Sequence, residues 1–266
     1  MTNKQELVTQ PALGGLMVPT VPSQMGIATV EDVELLEATF AGMPITEWKL
    51  PRAKKPSGVK TFVLEVSGQA TSPAKITGTI VALRPISKAW FRSPATAKGV
   101  PPSCVSHDGL RGYGIRDVAA DKDAEETWGD CVSCPWNKMG SKRTVQGGRD
   151  KGKDCGDTVV LLVSVPGLLT PVTIQVTPGS LGNWQEFILG LLNVRTADGN
   201  RARPQDCVVT FGLESATRPD GQSYNKVTFK LEGLAEKGDV TERASKLFSE
   251  MLQQSRAIEL VAPDEE

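Results

Sequence analysis

The clearest secondary-structure pattern lies at residues 158–192, TVVLLVSVPGLLTPVTIQVTPGSLGNWQEFILGLL. Two runs rich in β-branched residues, 158–165 and 171–176, lie on either side of a Pro166-Gly167 turn and predict a β-hairpin. After Ser180, apolar side chains recur at the 3.6-residue spacing of an amphipathic helix, and serine is a favoured N-cap residue. The stretch therefore predicts strand, turn, strand and helix in that order.

Further strands are predicted on both sides of this stretch. Residues 60–66 and 75–91 are rich in β-branched and aromatic residues, and the second run is long enough to be a bent strand broken near Pro85. Residues 207–213 and 224–231 alternate well enough to form a final pair of strands around a turn at 218–222. Helical spacing predicts a short helix at 30–41 and a last helix at about 240–258.

This order of elements favours a fold that is mainly β with some α (α+β). A helix between the third and fourth strands matches the OB-fold, a five-stranded antiparallel barrel whose open face binds oligonucleotides. Some other α+β domain with an antiparallel sheet fits the order equally well.

The predicted organisation has three segments. An N-terminal arm and short helix occupy 1–58, an OB-like core with a zinc-binding insertion at about 100–156 occupies 59–238, and a C-terminal helix with an acidic tail occupies 239–266. Residues 1–29 show no periodicity and predict a mobile arm. Residues 50–58, with two prolines, a glycine and several basic residues, predict a solvated linker.

The insertion is dominated by Gly, Lys, Asp and Cys, and it is too long for a plain loop unless something orders it. It contains Cys104, the pair Cys131-Val-Ser-Cys134, and Cys155. Two cysteines at this spacing can both reach one ion, and four thiolates close a tetrahedral Zn²⁺ site with no open position for water. The sequence therefore predicts one structural zinc ion that orders the insertion.

Other ligand sets remain open. His107, the only histidine, lies three residues after Cys104 and could replace one thiolate, or it could be a surface residue or a residue beside the site. The four cysteines could also be unconnected. Cys207 lies on a predicted strand and is interpreted as a buried, small hydrophobic residue.

Composition limits where the protein works. The 266 residues are 39% hydrophobic, which is enough for a core, and the net charge of −1 provides no global basic field. Five cysteines with one close pair are typical of metal or redox chemistry in a reducing compartment. The chain has neither a signal-peptide pattern nor about 18 consecutive apolar residues, so we expect a cytoplasmic protein without a membrane partner.

An enzyme is not expected. A zinc deaminase needs a glutamate two residues after its first ligand, but Ser106 and Gly109 occupy the corresponding positions. The cysteine pair lies in a loop, without the strand and helix of a thioredoxin-like dithiol. A single histidine leaves no Ser/His/Asp or Cys/His set, and no phosphate-binding loop is present in the sequence.

A basic segment lies inside the insertion. Residues 138–153, KMGSKRTVQGGRDKGK, carry six basic residues and one acidic residue, and aromatic residues lie in or beside this segment. Lysine and arginine neutralise phosphates, and bases stack on aromatic rings for about 1–3 kcal/mol each. The alternative is a merely solvated charged loop. The predicted nucleic-acid-binding residues are Trp90, Tyr113, Trp136, Lys138, Lys142, Arg143, Arg149, Lys151 and Lys153.

Four segments together resemble the phage-type single-stranded DNA-binding proteins: CVSHDG at 104–109, CVSCPWN at 131–137, GKDC at 152–155 and SLGNW at 180–184. In that class an OB-fold carries a zinc-binding insertion, a basic aromatic cleft and an acidic C-terminus.

The resemblance implies sequence-independent binding of single-stranded DNA in replication or recombination, in the bacterial host of a phage or mobile element. The acidic end at 263–266 could recruit replication or recombination proteins. The alternative function is a zinc-containing regulator that binds a protein such as host RNA polymerase.

Overall fold

The computed structural model describes residues 16–17, 20–21, 27, 29–42, 50–56, 58–91, 102–114, 129–143, 148–217, 221 and 223–258. The strands, in chain order, are β1 Leu16–Met17, β2 Thr20–Val21, β3 Ala53–Lys54, β4 Val63–Val66, β5 Gln69–Thr71, β6 Ile76–Trp90, β7 Cys104–Ser106, β8 Arg111–Gly114, β9 Gly129–Asp130, β10 Lys142–Arg143, β11 Arg149–Asp150, β12 Gly156–Ser164, β13 Val172–Val176, β14 Val194–Arg195, β15 Cys207–Thr217 and β16 Ser223–Ala235. The α-helices are α1 Val30–Gly42, α2 Leu181–Leu191 and α3 Asp239–Ile258.

Five long strands form the centre of the main sheet. They pair in the order β13-β12-β6-β15-β16, and every one of these pairings is antiparallel. The helix α2 lies in the chain between β13 and β15. The mixed α+β class is confirmed, as are the predicted hairpin, α2, the final strand pair and the two outer helices. Among the described residues no ladder joins β13 to β16, so the sheet is open there.

The strand β6 organises this sheet because it pairs with β15 through its first residues and with β12 through the rest. The predicted break near Pro85 is a β-bulge in a continuous strand, since the register with β12 shifts between Thr158 and Val160. Proline has no N–H to donate, and a bulge is one of the few places where a sheet accepts it. Gly78 is needed nearby, because a Cβ there would lie 2.3 Å from the carbonyl oxygen of Ser164.

Two hydrophobic clusters pack on the two faces of the sheet. The inner face packs beneath α2, which contributes Trp184 and Leu191. On the outer face, α1 and α3 cover the middle of β6 and β12. The residues buried in this outer cluster are Ile27, Val33, Leu36, Leu50, Val81, Ala82, Leu162, Ala244, Phe248, Met251 and Leu252.

Residues 50–56 are not the solvated linker that the sequence predicts. Leu50 and Ala53 are buried. The backbone N–H of Thr173, on β13, donates to the carbonyl of Pro51 at 2.7 Å. The ammonium of Lys55 donates to the carbonyl of Gln175 at 2.8 Å, and burial lowers the pKa of this lysine to about 8. This segment therefore lies along the free edge of β13.

The same part of the chain also contacts β16. The side-chain amide of Asn225 donates to the carbonyls of Pro56 and Val59, each at 2.6 Å. Residues 50–56 and 58–59, called here the seam segment, thus bridge the open side of the sheet between β13 and β16. Its hydrogen bonds come from residues more than a hundred positions away, which local sequence patterns do not reveal.

Two further predictions at the chain ends differ from the structure or lie outside it. Within the predicted mobile arm, β1 pairs in parallel with β14 and β2 with β16. The rest of 1–26 and the acidic tail at 259–266 lie outside the described residues.

Ser180 precedes α2 as predicted, but its hydroxyl accepts the N–H of Val227 at 2.9 Å instead of capping the helix. Within the described ranges no helix has the length and apolar character needed to cross a membrane.

Candidate metal centre and basic surface

Three separate segments bring the four predicted zinc ligands towards the C-terminal end of β6. Cys104 begins β7, which pairs with the last residues of β6. Cys131 and Cys134 lie on the turn after β9, and Cys155 immediately precedes β12. Backbone hydrogen bonds hold these pieces together, from Cys131 N–H to the carbonyl of Leu110 at 2.7 Å and from Cys155 N–H to that of Trp136 at 2.9 Å.

All four cysteines are free thiols, and only Cys134 is more than slightly exposed. Burial raises the pKa of Cys155 to about 12 and also raises that of Cys131. The charge of Cys134 contributes to both increases, and that of Cys104 contributes to the increase at Cys155. The sulfur of Cys134 therefore lies near those of Cys131 and Cys155, and the sulfur of Cys104 lies near that of Cys155.

The cysteines lie near one another, but they are not arranged as a complete set of metal ligands. Among the residues that the structure describes, no group of three or more His, Cys, Asp or Glu side chains is arranged to hold a metal ion. Cys104 and Cys155 share one buried cluster with Trp90, and the turn with the other two cysteines lies beside it. Thiolates are the ligands that zinc prefers in structural sites, so the donor chemistry fits this ion. Zinc binding by these residues, or with His107 as a substitute, stays a prediction.

A polar network that the sequence did not predict lies beside the turn at 131–134, called here the cysteine turn. Asn137 donates to the carbonyl of Cys131 at 2.6 Å, and its side-chain oxygen accepts from Lys88 at 3.2 Å and Lys153 at 3.1 Å. Both lysines also pair with Asp157. Burial alone would raise the pKa of Asp157, but the hydrogen bonds from the two lysines outweigh it and hold the pKa below its ordinary value. The network joins the insertion to β6 and β12.

The structure contradicts the prediction that Trp90 stacks on a base. Its side chain is 1% exposed and stacks on Trp136 with ring centroids 5.3 Å apart, so it offers no face to a base. Its indole N–H donates to Asp154 at 2.8 Å. Trp136 is half-buried, with its ring stacked on Trp90. This ring pair stabilises the insertion from inside.

Arg143 and Lys153 both hold the insertion together, and their binding of nucleic acid stays a prediction. The guanidinium of Arg143 lies over the rings of Trp90 and Trp136, 4.9 and 4.8 Å from their centroids. Its Nε donates to Asp154 at 2.7 Å. Lys153 is engaged by Asn137 and Asp157 as described above. Both cations pair with carboxylates, and each side chain is 25% exposed.

The remaining predicted residues divide into two groups. Lys138, Lys142 and Lys151 are exposed on the insertion. Tyr113 lies on β8 and Arg149 on β11, but their side chains fall outside what the structure describes. Sequence reasoning missed Lys88 and Asp157, because a lysine near a strand end and an aspartate between a glycine and a threonine have no distinctive pattern.

Comparison with protein families, characterised proteins and solved structures finds no match to this chain.

Proposed function

We propose that this protein binds single-stranded DNA without sequence preference, in replication or recombination, through a basic insertion on an OB-type barrel. The observation that carries the proposal is the place of that insertion in the sheet. If β6, β12, β13, β15 and β16 are the first to fifth strands, the insertion is the loop between the first and second. That loop is one of the two that contact oligonucleotides in OB-folds.

The barrel itself is part of the proposal. Its support is the pairing order, which reads third, second, first, fourth, fifth, with α2 between the third and fourth strands. The first strand is long and pairs on both sides, as a bent barrel strand does. On the open side, the seam segment and the hydrogen bond from Val227 to Ser180 replace the ladder that would close a barrel.

The sheet face that OB-folds commonly use is covered here. Leu162 on the outer side of β12 is buried with residues of α1 and α3, and the free edge of β13 is covered by the seam segment. We therefore place the DNA contacts on the insertion, where Lys138, Lys142 and Lys151 are exposed. Lysines that neutralise phosphates give binding that is independent of sequence and sensitive to salt.

Zinc belongs to the proposal as a structural ion. Cys104, Cys131, Cys134 and Cys155 would hold it, and a site closed by four thiolates supplies order to the insertion and no catalysis. We propose no enzymatic activity.

A second candidate is a zinc-containing regulator that binds a protein partner. The observation in its favour is that apolar side chains next to the cysteine turn, Val132 and Met139, are 72% and 75% exposed. Large exposed apolar side chains are common at protein contact surfaces.

A gel-shift series at two salt concentrations separates the two candidates. Equal amounts of single-stranded DNA, duplex DNA and RNA of one length are titrated with the full chain. The proposed function predicts tightest binding to single-stranded DNA, with an affinity that falls as salt rises by about 0.7 log units per log unit of salt for each phosphate contact. Absence of binding to every oligonucleotide at low salt would overturn it and favour the regulator.

A further inference from the structure

Among the described residues of the insertion, three large apolar side chains are exposed on turns. Leu110, on the turn between β7 and β8, is 63% exposed, and Val132 and Met139 are still more exposed. The first two turns lie side by side, because Cys131 N–H donates to the carbonyl of Leu110 at 2.7 Å. Met139 lies shortly after the cysteine turn, between Lys138 and Gly140.

These turns are held rigidly in their exposed conformation. The carboxylate of Asp108 accepts the N–H groups of Leu110 at 2.8 Å and Arg111 at 3.0 Å. The carboxylate of Asp130 does the same for Val132 at 3.1 Å and Ser133 at 3.3 Å. A rigid turn that presents an apolar side chain to water loses little conformational entropy when a ligand covers it.

Two exposed lysines supply positive charge near these side chains. Among the described carboxylates of this region, Asp154 pairs with Arg143 and Asp157 with two lysines, while Asp108 and Asp130 accept backbone N–H groups and stay exposed. Lys138 and Lys142 are exposed, and within the described part of the chain they form no ion pair. Lys138 precedes Met139 in the chain, and the N–H groups of Gly140 and Lys142 both donate to the carbonyl of Gly152 at 3.0 Å, so the three residues lie on one turn.

We propose that the turns at 108–110, 131–133 and 138–140 form a base-contacting surface, in which Leu110, Val132 and Met139 pack on unstacked bases and Lys138 and Lys142 contact the phosphates. This surface rests on the proposed function and replaces the buried Trp90 as the place where bases are covered. Apolar side chains beside unpaired cations suit a single strand, whose bases and phosphates are both accessible. Duplex DNA hides its bases, and an apolar protein partner has no need of the lysines.

The test uses the full chain, purified with zinc, and the fluorescence anisotropy of a labelled oligo-dT at two salt concentrations. The variants are Leu110→Ser with Val132→Ser, and Met139→Ser alone, which lies outside the cysteine turn. Leu189→Ser with Leu192→Ser is the matched control, because these leucines of α2 and its end are 61% and 53% exposed. We expect a loss of about fivefold or more in affinity for each insertion variant, with an unchanged salt slope and no loss in the control.

Lys138→Gln and Lys142→Gln should instead lower the salt slope by about 0.7 each. If the parent chain binds oligo-dT and both serine variants bind as tightly as the α2 control, the apolar turns contact something else, such as a protein, and the inference is overturned while the proposed function stands. If the parent chain binds no oligonucleotide, the proposed function itself fails.

Discussion

At the scale of single residues, Asn137 links the turn that carries Cys131 and Cys134 to the main sheet. It holds the carbonyl of Cys131 and accepts from two lysines that are anchored on Asp157. Asn137→Ala should weaken zinc binding by about 10- to 100-fold, as is typical when a residue that orients a metal ligand is lost. Competition with a chromogenic zinc chelator measures this. Asn193→Ala, at an exposed site after α2, should match the parent chain, and equal affinity in both variants would contradict the assigned role.

The thiol of Cys207 makes folding stability depend on pH. Burial, and secondarily the charge of Asp206, raise its pKa from an ordinary value of 9.0 to about 12. The folded protein therefore keeps a proton that the unfolded chain loses, so this stability is complete below pH 9 and is lost as pH rises towards 12. Above pH 9 the parent chain should lose about 1.4 kcal/mol per pH unit more than Cys207→Ala in urea denaturation. Parallel pH curves for the two proteins would contradict this.

The sequence indicates which residue types in the insertion are important. It does not indicate whether their side chains face the protein interior or a ligand. Tryptophan and arginine are as suitable for stacking on each other as on a base, and Trp90 and Arg143 do the former. The outcome depends on Asp154, which receives hydrogen bonds from both side chains and comes from a distant part of the chain. Sequence spacing carries no information about that convergence.

At the scale of elements, the meeting point of the two ladders on β6 requires a glycine. Gly78→Ala would place a Cβ 2.3 Å from the carbonyl oxygen of Ser164, which is backbone and cannot move easily. We expect a loss of about 1–3 kcal/mol in the free energy of unfolding. Gly190→Ala in α2 is the control: nothing lies within 4 Å of its added Cβ, and the helix should gain about 0.5–1 kcal/mol. Urea denaturation measures both, and equal effects of the two changes would contradict the close approach of β6 and β12.

The seam segment offers a second test at this scale. Asn225→Ala removes the donor for the carbonyls of Pro56 and Val59 and should cost about 1–2 kcal/mol, because two partly buried hydrogen bonds are lost. Ser215→Ala is the milder control, since it removes only a hydroxyl that contacts Asn225 at 3.2 Å. Thermal unfolding distinguishes them. Similar losses would mean that the seam contributes little to stability.

Elements with a clear period could be predicted from the sequence, and those held by distant partners could not. The long strands and α2 have apolar residues at spacings of two or 3.6, and these predictions are confirmed. The seam segment has no such spacing, and neither do β1 and β2, which pair with β14 and β16. Their order comes from backbone hydrogen bonds to strands much later in the chain.

At the scale of the whole molecule, the described contacts between the insertion and the main sheet gather in one place. The pairing of β7 with β6, the network of Asn137, Lys88 and Asp157, and the Trp90 and Trp136 stack all lie at one end of β6. The insertion has a small core of its own, made of Trp90, Cys104 and Cys155 with Trp136 against it. Zinc bound by the four cysteines would therefore determine whether the proposed DNA surface exists.

The measurement that tests this account most directly is the dissociation constant for oligo-dT before and after zinc is removed with a chelator, with circular dichroism recorded on both samples. We predict at least about a tenfold loss of affinity, because the exposed lysines and apolar turns lose their arrangement without the metal. The strand signal of the main sheet should persist, since its core is separate from the cysteine cluster. Metal-free protein that binds oligo-dT as tightly as the zinc-loaded protein would contradict the account.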